Sequence, residues 1–215
     1  MLPVKACIFD LDGVIVDTAK YHYLAWRRLA NELGFDFSEE ENERLKGVSR
    51  MDSLNILLEI GGVQLDEDRK EELAKKKNEW YVELIAHMDE KEILAGTTQF
   101  LTELQKADVK IALGSASKNA KTILKRIGLM EMFDAIIDGT DISKAKPDPE
   151  VFLLGAEALK VEPSACVVFE DAVSGVEAAL SAGMRVVGVG SKETLYKAND
   201  VVSSLAEMTL DRLEK

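Results

Sequence analysis

Residues 4–14 read V-K-A-C-I-F-D-L-D-G-V. From residue 4 to residue 9 the run is short, apolar and rich in β-formers, and acids end it at once. Such a run predicts a buried strand. Asp10 and Asp12 then stand at the strand's carboxyl end, and Gly13 permits a tight turn. Similar apolar runs recur at 110–113, 135–137, 166–169 and 185–189. Between them lie helical patterns at 97–106, 120–127, 150–159 and 174–182, the last followed by Gly183 as a C-cap. Alternating strand and helix predict an α/β fold, a parallel sheet with helices on both faces.

Residues 17–88 break that rhythm. They carry helical patterns at 21–33, 50–60 and 68–88, punctuated by Gly34 and by Gly61-Gly62, and no convincing buried strand. The expected organisation is a discontinuous α/β core, 1–16 with 89–215, interrupted after its first strand by a helical domain, 17–88. An insert there would lie over the strand ends, where open α/β sheets bind ligands. Its hinges are expected near 16–17 and 89–93, and its closure would keep water from a reactive intermediate.

Composition sets limits. With 215 residues, 47% of them hydrophobic, the chain can bury one core plus a smaller second one. Its 27 basic and 39 acidic residues leave a net charge of −12, which argues against nucleic acid or an anionic membrane as partner. A phosphate substrate would then need positive charge concentrated locally. Cys7 and Cys166 offer neither metal-ligand spacing nor a disulfide framework, so buried free thiols and a reducing, cytoplasmic compartment are expected. No apolar run of signal-peptide length precedes the first acids, and none approaches the ~20 residues of a membrane helix. No extra apolar helix face stands out, so a monomer is expected.

Three further segments carry chemistry. V-F-E-D-A-V-S-G at 168–175 ends a strand in Glu170-Asp171 and then opens a helix. Parallel strands end on one edge, so Asp10, Glu170 and Asp171 can converge. Two carboxylates 4 Å apart repel by ~4 kcal/mol at an effective dielectric of 20, and a cation among them removes that repulsion. An oxygen-only site that keeps waters suits Mg²⁺. S-K-A-K-P-D-P-E at 143–150 places Lys146 just before a helix, and A-L-G-S-A-S-K-N at 112–119 ends a strand in small and hydroxyl residues. Hydroxyls and N–H groups at a helix start suit a phosphate, although Ser117 also reads as a simple capping serine. Each segment alone has a plain reading: an acidic turn, a polar loop, a helix start.

Taken in order, these four segments resemble the four motifs of the haloacid dehalogenase superfamily, over the whole chain. The fold implied is a Rossmann-like parallel-sheet core with an inserted helical cap. Within the superfamily, D-T-A-K-Y-H-Y-L-A-W at 17–26, L-K-G-V-S-R-M-D-S-L at 45–54, E-L-A-K-K-K-N at 72–78 and S-A-S-K-N at 115–119 resemble the β-phosphoglucomutase family. Val16, where a polar residue is expected, and Gly114, where alanine is more usual, depart from its pattern.

The resemblance implies interconversion of β-glucose 1-phosphate and glucose 6-phosphate through a bisphosphate and an aspartyl phosphate. Asp10 would be the nucleophile and Asp12 the general acid and base, with Thr18 steering it. Lys146 and Ser115 would hold the phosphoryl group. Mg²⁺ would bind Asp10, the Asp12 carbonyl and Asp171, with Glu170 in support. Arg50, Ala116, Ser117, Lys118 and Asn119 would hold substrate phosphate, and His22, Trp26, Leu45, Gly47, Lys77 and Asn78 would face the sugar. Without the resemblance, Arg50 reads as a solvated helix start, His22, Trp26 and Leu45 as packing, and Lys75-Lys76-Lys77 as a charged helix face. His87 and Trp80 read as packing or surface. The rivals are a sugar-phosphate phosphatase of the same superfamily and a non-catalytic phosphosugar-binding domain. Intact Asp10 and Asp12 argue against the second, since a binder needs no nucleophile.

Overall fold

The computed structural model describes residues 4–45 and 48–214. The chain forms two compact units, Met1–Asp17 with Asp89–Lys215, and Thr18–Met88.

The first unit is built on a six-stranded sheet of β1 (Ala6–Phe9), β2 (Lys110–Gly114), β3 (Ala135–Ile137), β4 (Cys166–Glu170), β5 (Arg185–Val189) and β6 (Asp200–Val202), in the order β3-β2-β1-β4-β5-β6. Every pairing is parallel. β1 lies between β2 and β4, and all four of its residues are buried, which explains its unbroken apolar run. The register sets Phe9 opposite Leu113 on one side and Phe169 on the other. Residues 10, 114 and 170, one step further along, therefore reach the same edge. On one face Phe9 stacks on Phe169 at 4.6 Å, and Phe100 sets its edge against both rings. On the other, Ile8, Ala112 and Val168 pack in a cluster with Phe152, Val176 and Ala179. The two faces alternate along each strand as the pleat requires.

The second unit contains α1 (Ala19–Glu32), α2 (Glu39–Asn42), α3 (Arg50–Ile60) and α4 (Glu67–Ile85). α1 and α4 pack on each other. Side-chain caps start three of these helices: Ser38, in a capping box with Glu41, Ser49 and Asp66. The helices of the first unit are α5 (Thr97–Lys106), α6 (Ala120–Arg126), α7 (Glu150–Leu159), α8 (Val173–Ser181) and the short α9 (Leu210–Leu213). Gly183 has φ +72°, the left-handed conformation of a residue just past a helix end.

The chain leaves and re-enters the first unit side by side. Val16 forms an antiparallel bridge with Ile93, and the Leu94 N–H donates to the Ile15 carbonyl at 3.0 Å. Cys7 and Cys166 are free, buried thiols; burial pushes both upward, Cys166 to about 11. Among the described residues no helix is long and apolar enough to cross a membrane.

Candidate active site

Asp10 follows β1 directly, and its backbone N–H donates to the Phe169 carbonyl at 2.9 Å, which ties it to the end of β4. It is 7% exposed. Lys146 arrives from the loop before α7, through a cis bond to Pro147. Its ammonium donates to Asp10 Oδ1 at 2.5 Å, to Glu170 Oε1 and to the Gly114 carbonyl at 3.2 Å. Glu170 Oε2 accepts the Ala172 N–H at 2.8 Å. Glu170 is 1% exposed, so this buried carboxylate has a partner on each oxygen, as its desolvation demands. Burial alone would lower the Lys146 pKa; the Asp10 and Glu170 charges outweigh it and hold the ammonium charged.

Asp171 has the opposite balance. Burial, followed by the charges of Glu170, Asp10 and Asp12, pushes its carboxyl up to about 8, and Lys146 only partly offsets them. Asp10 and Glu170 thus share one ammonium, with Asp171 and Asp12 near enough for their charges to be felt. Gathered at one sheet edge, they call for further positive charge. Among the described residues no three His, Cys, Asp or Glu side chains form a ready-made metal cage.

Two glycines make this crowding possible. Gly13 has φ +76°, and a Cβ there would lie 2.1 Å from Asp171 Oδ2. A Cβ on Gly175 would lie 1.9 Å from both Glu170 Cδ and Oε1. The signals were present in D-L-D-G and V-S-G-V, but which side chain fills each space depends on strand register.

The loop after β2 completes this edge. Ser115 is 2% exposed; its N–H donates to the Ile137 carbonyl at 3.0 Å, and its Oγ accepts the Ser117 N–H at 3.1 Å. Ser117 does not cap α6. The capping position belongs to Asn119, and Ser117 Oγ accepts the Asn119 N–H at 3.2 Å, bracing the loop one step before the helix. Ala116, Ser117 and Asn119 are half-buried and Lys118 is exposed.

In the helical unit, Lys77 is 2% exposed, with its ammonium 4.3 Å from the Trp26 ring centre and 2.9 Å from His22 Nδ1. His22 stacks on Tyr81 at 4.0 Å. Burial, then the Lys77 and Arg50 charges, hold the His22 imidazole well below its ordinary value, which favours the neutral ring. Burial also lowers the pKa of Arg50, which starts α3. Lys77 is therefore no member of a solvated charged face, whereas Lys75 is exposed and Lys76 pairs with Glu32 at 2.6 Å. Trp26 and Leu45 are buried, Asn78 is half-buried, and Trp80 is 8% exposed under the guanidinium of Arg28. Thr18 is fully buried, and its carbonyl accepts from the Tyr21 and His22 N–H groups. Gly47 lies outside the described residues.

Residues 4–183 match the family model described as haloacid dehalogenase-like hydrolase. The chain is 42% identical to the β-phosphoglucomutase of Bacillus subtilis, over 99% of this chain and 95% of that one. It is 35% identical to a phosphorylated carbohydrates phosphatase of Thermotoga maritima, over 86% and 85%. The crystal structure of β-phosphoglucomutase from Clostridium difficile superposes with a TM-score of 0.93 and 44% identity, covering 98% of this chain and 95% of that one.

Proposed function

Because the chain belongs to the haloacid dehalogenase-like hydrolase family, we propose that it performs the β-phosphoglucomutase reaction, interconverting β-glucose 1-phosphate and glucose 6-phosphate through a bisphosphate. One observation carries the phosphoryl-transfer reading. A buried carboxylate at the end of the central strand shares its counter-charge, the Lys146 ammonium, with a second buried carboxylate on the adjacent strand. A structural ion pair has no need of two further acids beside it, whereas a nucleophile that must meet a phosphate dianion needs concentrated positive charge. Full-length likeness to the Bacillus enzyme supports the mutase among the chemistries such a site can serve.

The residues divide the work. Asp10 attacks phosphorus and becomes the aspartyl phosphate, while the departing sugar oxygen takes a proton from Asp12. In the reverse half, Asp12 takes the proton of the other sugar hydroxyl, and that oxygen displaces Asp10 from phosphorus. Lys146 neutralises charge on the phosphoryl oxygens and keeps Asp10 oriented. Ser115 donates to the same group, and Ala116, Ser117, Lys118, Asn119 and Arg50 hold the phosphate that is not transferred. Thr18 steers Asp12, and His22, Trp26, Leu45, Gly47, Lys77 and Asn78 meet the sugar.

The donor chemistry fits Mg²⁺, which takes one or two carboxylates, keeps waters and shares phosphate oxygens, so it needs no cage. Asp10, Asp171 and the Asp12 carbonyl would hold it. Glu170, whose carboxylate also meets Lys146 and the Ala172 N–H, would support it directly or through water. When bound, the ion supplies charge neutralisation at phosphorus. The small-molecule partner is a sugar phosphate, the protein works as a monomer, and its compartment is the cytoplasm.

The test is a coupled assay with β-glucose 1-phosphate, a trace of the 1,6-bisphosphate and Mg²⁺. Glucose 6-phosphate is the expected product. Inorganic phosphate as the main product would overturn the mutase in favour of a phosphatase, the activity named for the Thermotoga relative.

A further inference from the structure

Directly after β3 the chain forms a tight loop, residues 138–141, that no step above uses. Asp138 is a buried carboxylate, 2% exposed. Its Oδ1 accepts the Thr140 N–H at 2.8 Å and the Thr140 hydroxyl at 2.6 Å. Its Oδ2 lies 3.2 Å from Lys121 Nζ. Lys121 stands in the first turn of α6, immediately beyond the 115–119 loop, and also reaches Asp141 Oδ2 at 3.4 Å. That same Asp141 oxygen accepts the Asp138 N–H at 2.9 Å.

The two loops are also joined along their backbones. The Ser115 N–H donates to the Ile137 carbonyl at 3.0 Å, and the Gly139 N–H to the Ser117 carbonyl at 3.2 Å. Between these bonds the chains approach too closely for any side chain. A Cβ on Gly139 would lie 2.2 Å from the Ala116 carbonyl oxygen and 2.9 Å from the Lys118 nitrogen. Residues 137–141 thus grip the S-A-S-K-N loop and the first turn of α6 from behind, by two backbone hydrogen bonds, one close backbone approach and two ion pairs to Lys121.

The physical question is why a carboxylate should be buried there. A half-exposed lysine pair contributes little stability, and desolvating the acid costs more than an apolar side chain would. What a hydrogen-bonded, buried acid does supply is geometry. The S-A-S-K-N loop has no large apolar side chain to anchor it in a core. Donors that must close on an anion bind well only if they are ordered beforehand.

We propose that Asp138, acting through Lys121 and the close approach of Gly139, is a positioning residue that fixes residues 116–119 for the phosphate that is not transferred. It thereby favours a bisphosphate over a monophosphate ligand. The proposal rests on the mutase reading. Ser115, held by its own bond to Ile137, is outside its reach.

The test uses Asp138→Asn and Lys121→Met in the full chain with Mg²⁺. Two quantities are compared with the unmodified protein: KM for glucose 1,6-bisphosphate in the mutase assay, and kcat for hydrolysis of p-nitrophenyl phosphate, which bears one phosphate. The KM should rise about tenfold or more in both variants, kcat for the aryl phosphate should stay within about twofold, and Lys121→Arg should restore most of the KM. Lys121 is half-exposed, so Lys121→Met folds even if Asp138→Asn does not. An unchanged KM in Lys121→Met, or a KM and an aryl-phosphate rate that worsen in parallel, overturns the proposal. If the unmodified protein forms no glucose 6-phosphate, the mutase reading fails and takes this inference with it. If it does and KM stays put, the inference alone fails.

Discussion

Replacing Gly175 by alanine should destabilise the protein, against the usual rule. Inside a helix, alanine is ordinarily better than glycine by about 0.5–1 kcal/mol. Gly175 lies in α8, yet a Cβ there falls 1.9 Å from the Glu170 carboxyl. Glu170 has nowhere free to go. It is 1% exposed, with Lys146 on one oxygen and the Ala172 N–H on the other. Moving it breaks a buried ion pair, which costs roughly 3–5 kcal/mol because the partner is left uncompensated. Subtracting the helix preference leaves a net loss of about 2–4 kcal/mol. With a urea dependence of about 2 kcal/mol per molar, the middle of the usual range, the unfolding midpoint should drop by roughly 1–2 M. Both tryptophans, Trp26 and Trp80, lie in the helical unit, so fluorescence reports the wrong half of the molecule. Far-UV circular dichroism, with hydrogen exchange at β1 and β4, reads the core. A midpoint equal to or above that of the unmodified protein would refute the argument from close packing.

Three further outcomes are expected. Asp10→Asn should lose turnover by at least about 10³-fold and show no added phosphoryl group by intact mass after incubation with glucose 1,6-bisphosphate; a phosphorylated variant would remove Asp10 from its role. Lys146→Met keeps an apolar stem beside the Phe152 ring but strands two buried carboxylates, so kcat should fall about 10²–10³-fold and stability by roughly 3–5 kcal/mol, read by steady-state kinetics and urea unfolding. His22 is held below its ordinary pKa of 6.5 by burial, then Lys77 and Arg50, with Tyr81 stacked on it. The unfolded chain therefore binds this proton first, and the His22 contribution lowers stability progressively as pH falls below about 6.5 and vanishes above it. His22→Asn should flatten that slope in urea titrations between pH 5 and pH 7, and parallel slopes would contradict the assignment.

Much of the core was legible in the sequence because β1, β2, β4 and β5 are buried along nearly their whole length. β3 and β5 fall where their apolar runs predict, and α3, α5 and α7 where their periodicity does. β6 was not foreseen. It is three residues long, begins with Asp200 and gains its place from pairing with β5, which no local pattern encodes. α2 was missed for a similar reason: four residues started by a capping box are too short for a helical period to show. Asp10, Lys146, Glu170 and Asp171 could be named because each stands at a strand end or in a loop leading to that edge. That Lys146 bridges Asp10 and Glu170, and that Gly175 makes room for Glu170, depends on the register of β1 against β4. Asp138 was invisible altogether, since in sequence it is only one more acid in a polar turn.

The bridge between Val16 and Ile93 gives the helical unit an unusual status. Its two ends emerge as neighbours, so everything from Thr18 to Met88 is, for the sheet, a detour that returns to its starting point. A loop whose mouth is already closed adds only slowly to the entropy of folding as it lengthens. On loop-closure entropy alone, lengthening the insert costs the sheet little. The doorway, not the room behind it, is what the sheet must keep.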